Sequence, residues 1–223
     1  SDLMSRDLLF VGSVKDDKIE GVTQSESGKQ IRFNGNRAPE LPRDEDIEWG
    51  DPIELIGDNL SNWRLRYDEA KNGWSIQNGH LMNTPPSNDL ITRQTFRDFK
   101  LHAEFKIPEG SNSGVYLRGR YEVQIEDTYD MEPDSLRAGA VYGFLTPTSM
   151  AINPPGEWNT YDITLNGRWL TLTINGETVI DNEEIPGITG GALNSREGEP
   201  GPIMLQGDHG PVEFRNVTIA PAE

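Results

Sequence analysis

The densest grouping of chemically capable side chains is Asn112-Ser113-Gly114-Val115-Tyr116-Leu117-Arg118-Gly119-Arg120-Tyr121-Glu122-Val123-Gln124-Ile125-Glu126-Asp127. Strand alternation puts Val115, Leu117, Tyr121, Val123 and Ile125 on one face and Tyr116, Glu122, Gln124 and Glu126 on the other. Gly119 either kinks a single strand or sits in a three-residue loop, Arg118-Gly119-Arg120. Parity is the same in both cases, and only the aim of the two arginines differs. Tyr, Arg, Glu and Gln together suit recognition of hydroxyl groups better than the Lys/Glu/Thr mix of a plain solvated face. A second stretch, Phe99-Lys100-Leu101-His102-Ala103-Glu104-Phe105-Lys106, turns Lys100, His102, Glu104 and Lys106 outward. Taken singly, either strand also reads as an ordinary half-solvated sheet face.

The third candidate is Leu205-Gln206-Gly207-Asp208-His209-Gly210-Pro211, which holds one of only three histidines. A carboxylate beside a histidine orients it as a base or contributes to a metal site, provided the Gly-rich corner brings both side chains to one side. The alternative is a surface turn. His80, beside Asn78-Gly79, reads as a hairpin residue. Glu122 and Glu126 share a face but lie roughly 13 Å apart along a strand at ~3.3 Å per residue. That exceeds the separations of about 5–9.5 Å used by glycosidase acid pairs, unless Glu104 on a neighbouring strand partners Glu122. Asp127-Thr128-Tyr129-Asp130 carries loop carboxylates of a calcium-binding type at an unspecific spacing. No phosphate-cradling Gly loop, His-Glu-x-x-His or Gly-x-Ser-x-Gly pattern occurs.

These residues need a scaffold of strands. The 223-residue chain carries 23 Gly and 15 Pro, spread as punctuation, and no segment holds a helical apolar period for three turns. Hydrophobic content is 34% and no apolar run approaches a membrane span. Net charge is −17, which opposes binding to nucleic-acid backbones. There is no Cys, which excludes disulfides, thiolate metal sites and cysteine nucleophiles. The chain opens Ser1-Asp2-Leu3-Met4 without a basic n-region or apolar h-region, so a signal peptide is expected to be missing or removed.

Three strands, Leu8–Val14, Ile19–Thr23 and Gln30–Phe33, predict an N-terminal β-meander over residues 1–36, read as the tail of an upstream β-domain absent from this chain. Pro-bearing, charged residues 37–52 read as a linker and residues 53–223 as the main domain. In that domain Asn166-Gly167 and Asn175-Gly176 predict two-residue hairpin turns. The expected register sets Leu165 against Arg168, Ile163 against Leu170, Tyr161 against Leu172, and Leu172 against Val179. Tyr161, Ile163, Leu165, Leu170, Leu172 and Val179 then form a core face, with Thr164, Trp169, Thr171 and Thr173 on the wet side. Many short antiparallel strands predict an all-β, two-sheet jelly-roll sandwich.

Taken as an ordered set, Gly73–Asn83, Phe99–Glu104, Asn112–Arg118, Tyr121–Ile125, Gly156–Asn159 and Leu205–Val217 resemble the 3-keto-disaccharide hydrolase domain family, a concanavalin/laminarinase-like sandwich of polysaccharide-degrading bacteria. The resemblance spans roughly 52–220. Gly207 departs from it by separating Gln206 from Asp208, where a direct Gln-Asp-His-Gly run is expected. The resemblance implies a periplasmic or extracellular setting and an oxidised glycoside as partner. A C3 ketone acidifies the C2 proton, so one base can remove it and expel the C1 substituent, and water addition completes a net hydrolysis. It casts Glu122 or His209 as the base. Arg118, or a divalent metal held by Glu104, Glu122 or His209, would stabilise the enolate. Tyr116, Gln124, Gln206, Glu104 and Asp208 would bind substrate. The alternative on the same fold is a non-catalytic carbohydrate-binding module with Tyr116, Trp158 or Trp169 as platforms.

Overall fold

The computed structural model describes residues 9–25, 27–67 and 71–223. The chain divides into two compact units, residues 1–40 and 41–223. In the first, β1 (Val11–Lys15), β2 (Lys18–Gln24) and β3 (Gln30–Asn36) form an antiparallel sheet in that order. Leu8, where the first strand was expected to begin, lies outside the described residues.

The second unit is an all-β sandwich. Its smaller sheet runs β11 (Tyr121–Glu126), β10 (Asn112–Leu117), β15 (Met204–Leu205), β8 (Leu90–Thr92) and β5 (Trp63–Leu65). The larger runs β14 (Glu177–Glu184), β13 (Trp169–Ile174), β12 (Asn159–Asn166), β9 (Phe99–Lys106), β16 (Val212–Pro221), β7 (His80–Asn83) and β6 (Trp74–Gln77), with β4 (Ile53–Glu54) also paired to β16. All pairings are antiparallel. Among the described residues the only helical turn is a 3-10 segment at Leu60–Asn62, and no helix is long and apolar enough to cross a membrane.

The core forms where the inner faces meet. Phe99, Leu101, Ala103 and Phe105 from β9, with Tyr161, Ile163 and Leu165 from β12, are buried, as are Val115, Leu117, Tyr121, Val123 and Ile125 from β10 and β11. Because side chains alternate, Glu104 must stand on the outer face of the large sheet and Glu122 on the outer face of the small one. The two are therefore on opposite sides of the sandwich.

The expected core face of β12–β13 is observed, but its register differs by two residues. Asn166 pairs with Trp169, Leu165 with Leu170, Ile163 with Leu172 and Tyr161 with Ile174. The turn is Gly167-Arg168, with Gly167 at φ +61, rather than Asn166-Gly167. Asn166 stays in the strand and uses its amide to hold the incoming segment: Nδ2 donates to Asp44 O at 2.7 Å, and Oδ1 accepts from Asp44 N at 2.9 Å. Moving a turn by one residue moves pairing by two, and a period of two leaves every side chain on its expected face. At Asn175-Gly176, both at positive φ, Ile174 pairs with Glu177 as the turn demands. A bulge then sets Leu172 against Ile180, not Val179.

The segment expected as a linker divides between the two units. From Leu41 it belongs to the second unit, tied by the Asp44–Asn166 pair and by Gly50 N donating to Pro221 O at 2.8 Å. Between β10 and β11 the three-residue loop is realised: Leu117 pairs with Tyr121, with Arg118 at φ +52 and Gly119 at φ +64.

Candidate functional site

The outer face of the small sheet is organised in two cross-strand rows. One reads Arg64, Ile91, Met204, Tyr116, Glu122, each paired with the next. The other reads Arg66, Asp89, Gln206, Gly114, Gln124, joined by Arg66 N to Asp89 O, Gln206 N to Gly114 O and the Gly114–Gln124 pair. Residues 140–142 add a further ribbon beyond β11. Val141 bridges Val123, Gln124 N donates to Ala140 O, and Tyr142 N donates to Glu122 O at 3.0 Å. Tyr142 thus extends the Glu122 row.

Glu122 is 5% exposed. Its carboxylate leans over Gly114, where an added Cβ would sit 2.8 Å from Oε1, and Gln206 Nε2 donates to that oxygen at 3.2 Å. Burial pushes its pKa up to about 7, against the opposing effects of the Tyr116 hydroxyl and the His209 charge; Asp89 and Asp208 add to the rise. No Lys or Arg pairs with it among the described residues. Tyr116 is buried, and its own pKa is raised by burial and by Glu122, so it stays protonated. Its single proton faces two acceptors, the Glu122 carboxylate and Gly190 O at 3.1 Å.

Across the face, Arg66 Nη1 meets Asp89 Oδ2 at 2.9 Å, and Asp89 Oδ1 accepts from Gly207 N at 3.1 Å. Gly207, the residue that interrupts the expected run, fits where little else could. A Cβ there would lie 2.3 Å from Asn88 O and 2.8 Å from Trp74 Nε1. Beyond it His209, half exposed, bonds Asp208 through Nδ1. Three buried polar atoms on this face have no hydrogen-bond partner among the described residues: Gln124 Oε1, Gln206 Oε1 and Arg66 Nε. Buried polar atoms are rarely left in this state. Two vacant acceptors beside a carboxyl are a natural match for a ligand rich in hydroxyl donors.

The structure gathers Glu122, Tyr116, Gln124, Gln206, His209 and Asp208 around one face. It does not bring Arg118 or Glu104 there. Arg118, nearly fully buried, turns the other way: Nη2 donates to Gly167 O and to the Tyr121 hydroxyl, where it braces the β12–β13 turn. The positive φ of Arg118 and the loop geometry decided the aim that the sequence left open. Glu104 is bound to Arg215 Nε and Asn216 Nδ2, both at 2.6 Å, on the outer face of the other sheet. The expected metal set of Glu104, Glu122 and His209 is therefore not assembled, and no group of three or more His, Asp or Glu is placed to hold a metal ion among the described residues. Glu122 and His209 alone do not fit the donor number a divalent ion needs. Arg66 and Asp89 escaped the sequence reading. Their parity opposite Leu65 and Leu90, both core-facing, was the available signal.

A comparison with curated proteins gave no match. Among solved structures, one similar protein is a candidate glycosyl hydrolase of Parabacteroides distasonis, at 28% identity and TM-score 0.67, covering 80% of this chain and 92% of that one. A second from the same organism is 27% identical with TM-score 0.59, covering 76% and 98%. A carbohydrate-binding module of Bacillus subtilis shares the fold alone, at 14% identity and TM-score 0.50, covering 72% and 96%. Residues 51–220 match the model of the 3-keto-alpha-glucoside-1,2-lyase-like domain, and the chain belongs to that family.

Proposed function

We propose that this chain cleaves 3-keto-glycosides, with Glu122 as the base that removes the C2 proton. The observation that carries the reading is a buried carboxyl with pKa about 7, next to unpaired amide acceptors on a face where Tyr116, Gln124 and Gln206 are also buried. A general base works best when its pKa lies near the working pH. Here burial provides that value, and no Lys or Arg among the described residues pairs with the carboxylate to cancel it.

Glu122 takes the C2 proton, and its electron pair forms the enolate with negative charge on the C3 oxygen. Collapse of the enolate restores the C3 ketone, forms the C1–C2 double bond and breaks the bond from C1 to its substituent, which leaves with the electron pair and is protonated by solvent, while Glu122 gives its proton up to solvent. Water then adds across the double bond, hydroxyl to C1 and proton to C2, giving the free 3-keto sugar. Strands β10 and β15 lie between Glu122 on β11 and Asp89 beside β8, so about 14 Å separates the flanking strands. Arg66, held by Asp89, offsets the enolate charge from the far margin. Gln124 Oε1 and Gln206 Oε1 accept from ring hydroxyls. His209 at the rim tunes Glu122 through its charge.

Of the rings expected as platforms of a pure binding module, Tyr116 is buried and Trp158 lies beneath the Arg215 guanidinium, 3.9 Å from its ring centre, while Trp169 stays partly exposed. The test is turnover of methyl 3-keto-glucoside in D2O. Glu122→Gln should lose roughly a thousandfold, and wild-type product should carry deuterium at C2. Product without C2 deuterium, or a variant within tenfold of wild type, overturns the assignment.

A further inference from the structure

We infer that the margin formed by Leu136, Tyr142 and Phe144 is the leaving-group subsite, and that it selects glycosides whose C1 substituent presents a flat aromatic face. The inference rests on the Glu122 reading above and names the substrate class of that site. Tyr142 is the next residue after Glu122 in its cross-strand row, through the Val123–Val141 bridge and the Tyr142 N to Glu122 O bond. Leu136 O accepts from Gln124 Nε2 at 3.4 Å, and Gly143 N donates to Ser135 O at 2.8 Å, which ties both strips of this margin to the site. The platform is thus fixed to the same strand as the base. Yet Leu136, Tyr142 and Phe144 are 48%, 37% and 42% exposed, while their neighbours Ala138, Ala140 and Val141 are buried. Side chains of this size left in the open beside the Glu122 row mark a surface that a ligand covers.

Charge points to the kind of ligand. In a chain with 37 Asp and Glu, residues 135–156 contain none, and Arg137 is the only charged residue among them. Elimination places negative charge on the departing oxygen. A margin without carboxylates tolerates that charge, but it also offers no carboxylic acid or imidazole to protonate a poor leaving group. An aryloxide satisfies both conditions, since its charge spreads into a ring that stacks on Tyr142 and Phe144. A second sugar could lay only its apolar face there, because Leu136 and Phe144 offer no polar tips for its hydroxyls.

The test separates this inference from the reaction itself. Binding of unoxidised phenyl glucoside and methyl glucoside is measured by calorimetry on wild type and on Tyr142→Ala/Phe144→Ala, both exposed positions whose truncation leaves the core filled. Binding of inert glycosides is blind to leaving-group reactivity. The expected result is a phenyl preference of about tenfold in wild type that falls to near unity in the variant. Equal or undetectable binding of the two glycosides, a preference the variant retains, or tighter binding of a glucose disaccharide than of phenyl glucoside overturns the assignment. If the phenyl preference is present but no 3-keto-glycoside is turned over, the reaction fails and the aromatic subsite stands.

Discussion

Two polar faces on opposite sides of one sandwich show what separates a structural surface from a reactive one. On the large sheet every carboxylate of the central strands is answered. Glu104 meets Arg215 and Asn216, Glu213 meets Lys106 and His80, and Asp162 meets His102 Nδ1 at 2.7 Å. Burial alone would push Glu104 and Glu213 upward, but these hydrogen bonds and charges outweigh it and hold both below the ordinary carboxylate value. Stacking of Arg215 and Lys106 over Trp158 closes the network. On the small sheet Glu122 is more deeply buried and has only Gln206 and Tyr116, so burial wins. Compensation, rather than residue type, distinguishes them.

The sharpest way to break this contrast is to neutralise one carboxylate on each face. Glu122→Gln should lower turnover of a 3-keto-glycoside by roughly a thousandfold, while Glu104→Gln should leave it within about twofold and cost only the stability of its outer-face pairings. Steady-state kinetics on both variants decide the matter. Comparable losses in the two would mean that the faces are not functionally distinct.

The faces should also respond to pH with opposite sign. Glu122 has a folded pKa of about 7 against an ordinary 4.5, so the native state holds the extra proton between those values. Its contribution to stability is full below pH 4.5 and is lost as pH rises through about 7, by on the order of 3 kcal/mol. Glu104 and Glu213 are depressed, so their contribution is present above the ordinary value and is lost as pH falls through their folded values. Denaturant unfolding at pH 5 and pH 8 should show wild type losing stability relative to Glu122→Gln at the higher pH. Parallel behaviour of the two proteins would mean that Glu122 is not raised. Turnover should rise over the same interval as the base loses its proton.

Why the two faces looked alike in sequence follows from what alternation encodes. Period two in Phe99–Lys106 and Tyr121–Glu126 sorts side chains to core or exterior, and it did so correctly for Leu101, Ala103, Val123 and Ile125. It says nothing about which sheet a strand joins, so Glu104 could be imagined beside Glu122 although the core lies between them. The β12–β13 hairpin teaches the same lesson on a smaller scale. Faces survived a two-residue register difference because the turn moved by one, a choice made by Asn166 binding Asp44, far away in sequence. Arg66 and Asp89 were readable by parity from Leu65 and Leu90, but their pairing with each other depends on strand order, which no local pattern carries.

A smaller effect sharpens the account of Glu122 itself. Gly114 supplies the space over which the carboxylate leans, and a methyl group there would stand 2.8 Å from Oε1 and 3.2 Å from Cγ. The flexible side chain would swing away and lose the Gln206 bond. Gly114→Ala should therefore reduce turnover by about tenfold, the worth of one such hydrogen bond and its geometry, with little change in folding. Unaltered kinetics would show that the leaning conformation is not the reactive one.

The smallest effect comes from the rim. His209 lowers the pKa of Glu122 through its charge, and Asp208 raises it. Both side chains are more than half exposed, so water screens them and each shift should be less than about one unit. His209→Ala should move the rising limb of the pH–rate profile to higher pH, and Asp208→Asn should move it lower. The two displacements have opposite sign although the residues are bonded neighbours, and only charge felt at Glu122 makes that so. If His209 instead acted as the base, His209→Ala would remove the limb rather than displace it, and the roles of the two residues would have to be exchanged.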